Sequence, residues 1–187
     1  MRKFRLSLAM VLVLPILFAC ATPWQNQASS GYLGAISLAT VAEQTVKPSC
    51  DSASLLADKC NQLKTIYGQI RQGCVAAGNT LILALKTSDK AQQGQLLATY
   101  QSLIADANTA VASYIALFQD LSKSGKLKAT KYAMSPALLQ IIVDAFAALL
   151  AQIPAIINAV QSWQLTSVDV NALVTQIQTA QAGLPVW

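Results

Sequence analysis

Cysteines are the residues of this sequence best suited to chemistry, and the chain has four of them, Cys20, Cys50, Cys60 and Cys74. The chain has no histidine, so a thiol nucleophile would lack the imidazole base that activates it. A zinc site is disfavoured as well, because histidine ligands and a Cys-x-x-Cys pair are both missing. We therefore expect neither a thiol catalyst nor a metal centre.

Three of these cysteines lie close enough in sequence to compete for one disulfide. Cys60 and Cys74 are 14 residues apart in one predicted helix, a distance of about 21 Å at 1.5 Å per residue. A disulfide needs Cα atoms within about 7 Å of each other, so these two do not pair. Cys50 lies in the turn before that helix, and a chain that folds back through residues 51–55 brings it to Cys60. The spacing predicts a Cys50–Cys60 disulfide and a buried Cys74 thiol.

Carboxylates are few and unpatterned, with one glutamate, Glu43, and seven aspartates. Asp144 alone lies in apolar surroundings, where it is either a catalytic acid with a perturbed pKa or a solvent-edge residue. The sequence contains no Asp-x-Asp pair, phosphate loop or nucleophile elbow. We therefore expect no catalytic residues, no cofactor and no metal, and predict that the protein is not an enzyme.

The elements that carry these residues are predicted to be helices, because apolar residues recur at alternating spacings of four and three. A first helix over residues 31–47 is expected to end before Pro48. The second continues through Gly78 as one long helix, although Gly78-Asn79 offers an alternative break. The predicted apolar stripes of the four helices comprise Tyr32, Ile36, Ala39 and Val46; Leu56, Cys60, Leu63, Tyr67, Ile70, Cys74, Ala77, Leu81 and Ala84; Leu97, Tyr100, Ile104, Ala107, Val111, Tyr114, Phe118 and Leu121; and Leu139, Ile142, Phe146, Leu149, Ile153, Ile156, Val160 and Trp163.

A last helix is predicted over residues 167–182, with Thr166 and Asp169 as a capping box and Gly183 as its stop. Hydrophobic residues make up 54% of the chain and charged residues 11%, whereas globular domains average about 25% charged residues. That composition excludes a disordered chain. The sequence thus predicts an all-α fold, an antiparallel bundle of four or five helices formed by residues 31–187.

The N-terminus has the pattern of a secretory signal, with basic residues at positions 2, 3 and 5 followed by an apolar run over 6–18. The sequence Leu17-Phe18-Ala19-Cys20 resembles the lipobox of bacterial lipoproteins, although Phe18 departs from the small or β-branched residue usual there. The resemblance covers residues 1–20 and implies that Cys20 is acylated and becomes the new N-terminus. Ordinary signal cleavage after Ala21 and an uncleaved anchor are the alternatives.

In that family an Asp after the Cys retains the protein in the inner membrane, so Ala21 implies anchoring in the outer membrane, facing the periplasm. Residues 21–30 are polar and are predicted to form a flexible tether. Removal of the signal takes away three of the 13 basic residues, which leaves 10 against eight acidic ones, a net charge of +2. Such a small charge gives no general reason to bind nucleic acid.

Two further segments are candidates for contact with a partner. Lys123, Lys126, Lys128 and Lys131 lie in a connection without acidic residues, which is either a solvated loop or a surface that meets anionic lipid. The fourth helix is apolar nearly all round, because Ile141, Leu150 and Ile157 flank its stripe. Such a helix is either central in the bundle or in contact with another chain or a membrane surface.

These features predict a structural or adaptor-like protein, held on the membrane through acylated Cys20 and bound to a protein partner or to a second copy. A carrier that holds an apolar ligand between the second, third and fourth helices is the alternative, and an enzyme of unknown type comes third.

Overall fold

The computed structural model of the chain describes residues 23–51, 55, 57–123, 144, 148, 151, 154–156 and 168–186. These residues form an all-α bundle, as the apolar spacing predicts. Its long elements are α1 (Trp24–Asp51), α2 (Ala57–Lys86), α3 (Lys90–Lys123) and α4 (Val170–Ala182). Residues 144, 148, 151 and 154–156 are also helical. Within the described ranges, no helix is both long and apolar enough to cross a bilayer.

Helices α2 and α3 form an antiparallel hairpin joined by residues 87–89. Asp89 begins α3 by accepting hydrogen bonds from the backbone N–H groups of Ala91 and Gln92, at 2.8 and 3.0 Å. Such side-chain caps satisfy the donors that a helix start leaves unpaired. The two predicted stripes face each other across the hairpin: all eight of the α3 residues are buried, as are Leu63, Tyr67, Ile70, Cys74, Ala77, Leu81 and Ala84 of α2.

Helix α1 runs antiparallel to α2, because Tyr32 lies beside Cys74 and Cys50 is bonded to Cys60. Helix α4 also packs against α2: the Gln181 side chain donates to the Val75 carbonyl oxygen at 2.9 Å. Since α4 and α1 both pass the same part of α2 in the opposite direction, α1, α3 and α4 run one way and α2 runs the other.

The predicted tether is wrong over residues 24–30, which belong to α1. Trp24 and Ala28 are buried together with Tyr32, and the three residues are spaced by four, so they share one helix face. That face packs into the bundle, so this segment is part of the folded structure although its sequence is mostly polar. The predicted flexible segment is therefore replaced by a helix from Trp24 onward.

Two predicted helix boundaries also need correction. Helix α1 does not end before Pro48 but continues to Asp51 with the proline inside it. Few residues follow Pro48, so the lost hydrogen bond falls in the last turn, where the Cys50–Cys60 bond also holds the chain. Helix α4 begins at Val170, and Asp169 is its N-cap, accepting from the Ala172 N–H at 3.0 Å. Asp169 thus precedes the helix and is not the third residue of a capping box, whose other member, Thr166, lies outside the described residues.

Three other sequence predictions are confirmed. Helix α2 is continuous through Gly78, so the alternative break there is wrong. Gly183 ends α4, and its N–H donates to the carbonyl oxygens of Thr179 and Ala180. Ile156, which the sequence places on the stripe of the fourth helix, is buried in the core.

Gly78 is buried where α1, α2 and α4 meet. A Cβ at this position would press against the hydroxyl of Tyr32 and the side-chain nitrogen of Gln181. Both groups are held in place, since Tyr32 donates to the Cys74 carbonyl oxygen at 2.9 Å and Gln181 donates to that of Val75. The absence of a side chain therefore allows this close approach, despite the cost of glycine inside a helix.

We expect Gly78→Ala to lower the free energy of unfolding by up to about 2 kcal/mol, because overpacking costs about 1–3 kcal/mol and improved helix propensity recovers about 1. Gly68→Ala in the same helix is the matched control, since its Cβ would meet nothing within 4 Å. It should raise stability by about 0.5–1 kcal/mol. Urea unfolding followed by circular dichroism measures both, and equal stability of the two variants would contradict the crossing described here.

Candidate functional site

The predicted disulfide is present: Cys50 near the end of α1 is bonded to Cys60 in α2, with their Cα atoms 5.6 Å apart. Cys74 is free and buried, also as predicted. Burial raises the pKa of the Cys74 thiol to about 12. Because the thiolate is the reactive form of cysteine, this thiol is inert at neutral pH.

Four tyrosines occupy the centre of the described bundle, Tyr32 from α1, Tyr67 from α2, and Tyr100 and Tyr114 from α3, each at most 1% exposed. Three of them bond to backbone carbonyl oxygens of other segments. Tyr32 donates to Cys74 at 2.9 Å, Tyr114 to Ala42 at 3.1 Å, and Tyr67 to Pro185 at 3.3 Å. Large aromatic rings with one polar end thus join the helices while they fill the space between them.

The environment of these tyrosines keeps them protonated. Burial raises the pKa of Tyr67 to about 12, with a smaller contribution from Glu43. Burial also raises the pKa values of Tyr32, Tyr100 and Tyr114, and more strongly. A neutral phenol donates a hydrogen bond, so these tyrosines stabilise the bundle through the bonds that they make to other segments.

Some buried polar atoms in the described part of the chain have no hydrogen-bond partner, and the hydroxyls of Tyr100 and Ser29 are among them. Both residues are almost completely shielded from solvent. A buried polar group without a partner costs about 1–3 kcal/mol. The centre of the described bundle therefore contains polar groups whose hydrogen bonds are not satisfied.

Glu43 is a buried acid that the sequence analysis counted among the carboxylates but did not place in the interior. It lies on the buried side of α1 and is 4% exposed. Burial raises the pKa of its carboxyl group, the charge of Lys47 opposes that rise, and Asp51 adds to it. Lys47 and Asp51 form an ion pair at 2.6 Å on the exposed side of the same helix end, where such pairs contribute little stability. The sequence signal for the burial of Glu43 is its position next to Ala42 and four residues after Ala39, both of which are buried.

An open groove lies on the outer surface between α2 and α3. It has a volume of about 350 Å³ and is mostly apolar. Four of its residues come from α2 and one from α3: Asn61, Gln62, Thr65, Ile66 and Leu117. None of these five residues belongs to the predicted stripes of α2 and α3, because the residues of those stripes face the neighbouring helix.

Most of the other sequence-predicted site residues lie outside the described residues. Cys20 is one, together with three of the basic residues, Lys126, Lys128 and Lys131, and the flanking residues Ile141, Leu150 and Ile157. Lys123 is the last residue of α3. Asp144 is exposed, which agrees with the solvent-edge interpretation and not with a buried catalytic acid. Among the residues that the structure describes, no three cysteine or acidic side chains cluster as metal ligands would.

Comparison with known proteins finds no matching family model, no similar curated protein and no similar solved structure.

Removing the hydroxyl groups of the buried tyrosines should affect stability to different extents. Tyr32→Phe and Tyr114→Phe should each lower the free energy of unfolding by about 1 kcal/mol, because each removes one buried hydrogen bond. Tyr100→Phe should leave stability unchanged or raise it, since its hydroxyl has no partner. Denaturant unfolding of the three variants tests this, and a loss at Tyr100 as large as at Tyr32 would refute the pattern.

Glu43→Gln should raise the free energy of unfolding at pH 7. Below the ordinary carboxyl pKa of about 4.3, folded and unfolded states are both protonated and Glu43 carries no penalty. As pH rises, the unfolded state ionises first, and stability falls until the raised folded-state pKa is passed. The gain from the substitution should therefore shrink as the pH of thermal melts is lowered from 7 to about 4. A gain that stays the same across that range would contradict the burial of an ionised Glu43.

Proposed function

We propose that this chain is a bacterial lipoprotein, acylated at Cys20 and held in the outer membrane with its bundle in the periplasm. Its role is structural or adaptor-like: the bundle offers a surface to a protein partner or to a second copy within an envelope assembly. It is not an enzyme.

The N-terminal sequence and the disulfide both support export. The segment Leu17-Phe18-Ala19-Cys20 follows a basic start and an apolar run, the order of a secretory signal. Disulfides form and persist in oxidising compartments such as the periplasm. The Cys50–Cys60 bond is therefore compatible with an exported protein and uncommon in a cytosolic one.

The observation that carries the adaptor role is the burial of large side chains at the centre of the described bundle. Four buried tyrosines and the apolar stripes of α1, α2 and α3 occupy the space in which a ligand or substrate would sit. The thiol and phenol groups there are neutral at physiological pH, and burial raises their pKa values further. What such a protein has left for binding is its outer surface.

A carrier of an apolar ligand is the second candidate, and the groove between α2 and α3 favours it. Its apolar lining, including Ile66 and Leu117, could hold a short acyl chain. Native mass spectrometry of membrane-extracted protein separates the two functions. An adaptor should carry no stoichiometric small ligand, whereas a carrier should release one on denaturation.

Lipidation is tested by the intact mass of the protein extracted from membranes. We expect acyl mass on a chain that begins at Cys20, because the lipobox-like sequence places the cleavage immediately before it. Cys20→Ser is the control and should leave the protein unacylated. An unmodified chain that begins at Thr22 in the parent protein would overturn the proposed anchor.

The adaptor role is tested on the segment that the sequence predicts to be apolar nearly all round. Leu150→Gln with Ile157→Gln should preserve helicity and melting temperature but abolish self-association or co-purification of a partner. Ala151→Gln with Ala155→Gln is the matched control, since these two residues are exposed. Light scattering and thermal melts on the same samples give both readouts. A large fall in melting temperature in the first pair, with a monomeric parent protein, would refute the adaptor role of this segment.

A further inference from the structure

The start of α1 and the turn between α2 and α3 lie at the same end of the bundle. Tyr32 and Gly78 meet at the helix crossing. Trp24 begins α1 eight residues before Tyr32, and Lys86 ends α2 eight residues after Gly78. At 1.5 Å per residue both ends are about 12 Å from the crossing, in the same direction because the helices are antiparallel. The turn at 87–89 therefore lies at about the same height along the bundle axis as Trp24, the first residue of α1.

The connection from Cys20 to this end is short. Trp24 is 3% exposed and fixed in the core, and it follows Cys20 by four residues. A fully extended chain covers at most about 3.6 Å per residue, so Cys20 lies within about 14 Å of Trp24. The opposite end of α1, which carries the disulfide, is about 42 Å further along the helix axis. An acyl anchor on Cys20 therefore keeps the α2–α3 turn close to the bilayer.

The surface at this end suits a lipid interface. Leu83 is 57% exposed and is one of two large hydrophobic side chains that the described residues leave in solvent. The other, Val186, lies next to Pro185, which contacts Tyr67, about 24 Å from Leu83 along α2. Lys86, three residues after Leu83 in the same helix, is exposed, and so is Lys90 at the start of α3. An apolar side chain flanked by lysines is the composition that enters the headgroup region while its charges meet phosphates.

The one acidic residue of the turn is directed away from such a contact. Asp89 accepts hydrogen bonds from the N–H groups of Ala91 and Gln92, so its carboxylate faces the start of its own helix. Thr87 also bonds locally, to the side chain of Gln92. Leu83 and Lys86 are consequently the side chains best placed to meet a bilayer.

We infer that the tip of the α2–α3 hairpin, residues 83–90, rests on the phospholipid surface, with Leu83 in the interface and Lys86 against phosphate groups. The inference depends on the proposed acylation of Cys20. It assigns the membrane contact to this tip and not to the predicted lysine surface, which starts at Lys123. Lys123 ends α3 33 residues after Lys90, about 50 Å away along the helix.

The test compares two labelled positions on the full lipidated protein in vesicles of phosphatidylethanolamine and phosphatidylglycerol. Leu83→Cys carries an environment-sensitive fluorophore at the tip. Ser113→Cys carries it on an exposed part of α3, where the Ser113 hydroxyl donates to the Thr109 carbonyl oxygen of its own helix. The parent protein controls for background, because Cys74 is buried and the other two described cysteines are bonded.

Spin-labelled lipids with the nitroxide near the headgroup should quench the fluorophore at position 83 several-fold more than at position 113, and emission at 83 should shift to the blue. Equal quenching at the two positions, or none at 83 on vesicle-bound protein, would overturn the membrane contact. The intact mass of the same sample separates this failure from failure of the proposed function. Missing acyl mass on Cys20 would overturn the anchor and the inference that rests on it, whereas acylated protein without quenching at 83 would overturn the contact alone.

Discussion

The close crossing of three helices at Gly78 is the constraint on which the rest of the bundle depends. Helices α1 and α4 both approach α2 here, and the space that a side chain would need is taken by the Tyr32 hydroxyl and the Gln181 carboxamide. Each group bonds to a carbonyl oxygen of α2. Gly78 would weaken an isolated helix. In the bundle it sets how closely α1 and α4 approach α2, and the hydrogen bonds at this crossing determine where α1 and α4 lie along the axis of α2.

Tyrosine is a costly choice for the centre of a helical bundle, because its hydroxyl must find a partner away from water. Helical carbonyl oxygens provide that partner, since each can accept a second hydrogen bond besides the one within its helix. Tyr32 and Tyr114 use carbonyls of neighbouring helices, which ties α1 to both α2 and α3. These hydrogen bonds therefore specify the register of the helices, because each hydroxyl reaches its carbonyl partner only when the helices are correctly aligned along their axes.

Under the proposed acylation of Cys20, the same packing determines how the bundle lies relative to the membrane. Trp24 is held in the core, so a chain anchored just before it has little freedom to move away from the bilayer. The buried tyrosines and Cys74 are uncharged at neutral pH, whereas the burial of Glu43 is a cost that the fold bears there.

The sequence by itself determined the features that depend on spacing along one chain. Apolar residues at intervals of three and four identified the buried faces of α2 and α3, and a separation of ten residues across a turn identified the Cys50–Cys60 pair. Gly183 ended α4 as expected, because a helix stop depends on local backbone geometry.

Only the tertiary structure decided the features that depend on distant partners. Trp24 and Ala28 read as part of a polar tether, and they become core because faces of other helices cover them. Pro48 stays inside α1 because a neighbouring crosslink holds the last turn. Gly78 reads as a weak point and proves to be the place where helices meet, since the neighbouring side chains come from residues 46 and 103 positions away in the sequence. Local periodicity defines which side of a helix is apolar, but only the assembled bundle defines how much of each side is covered and by what.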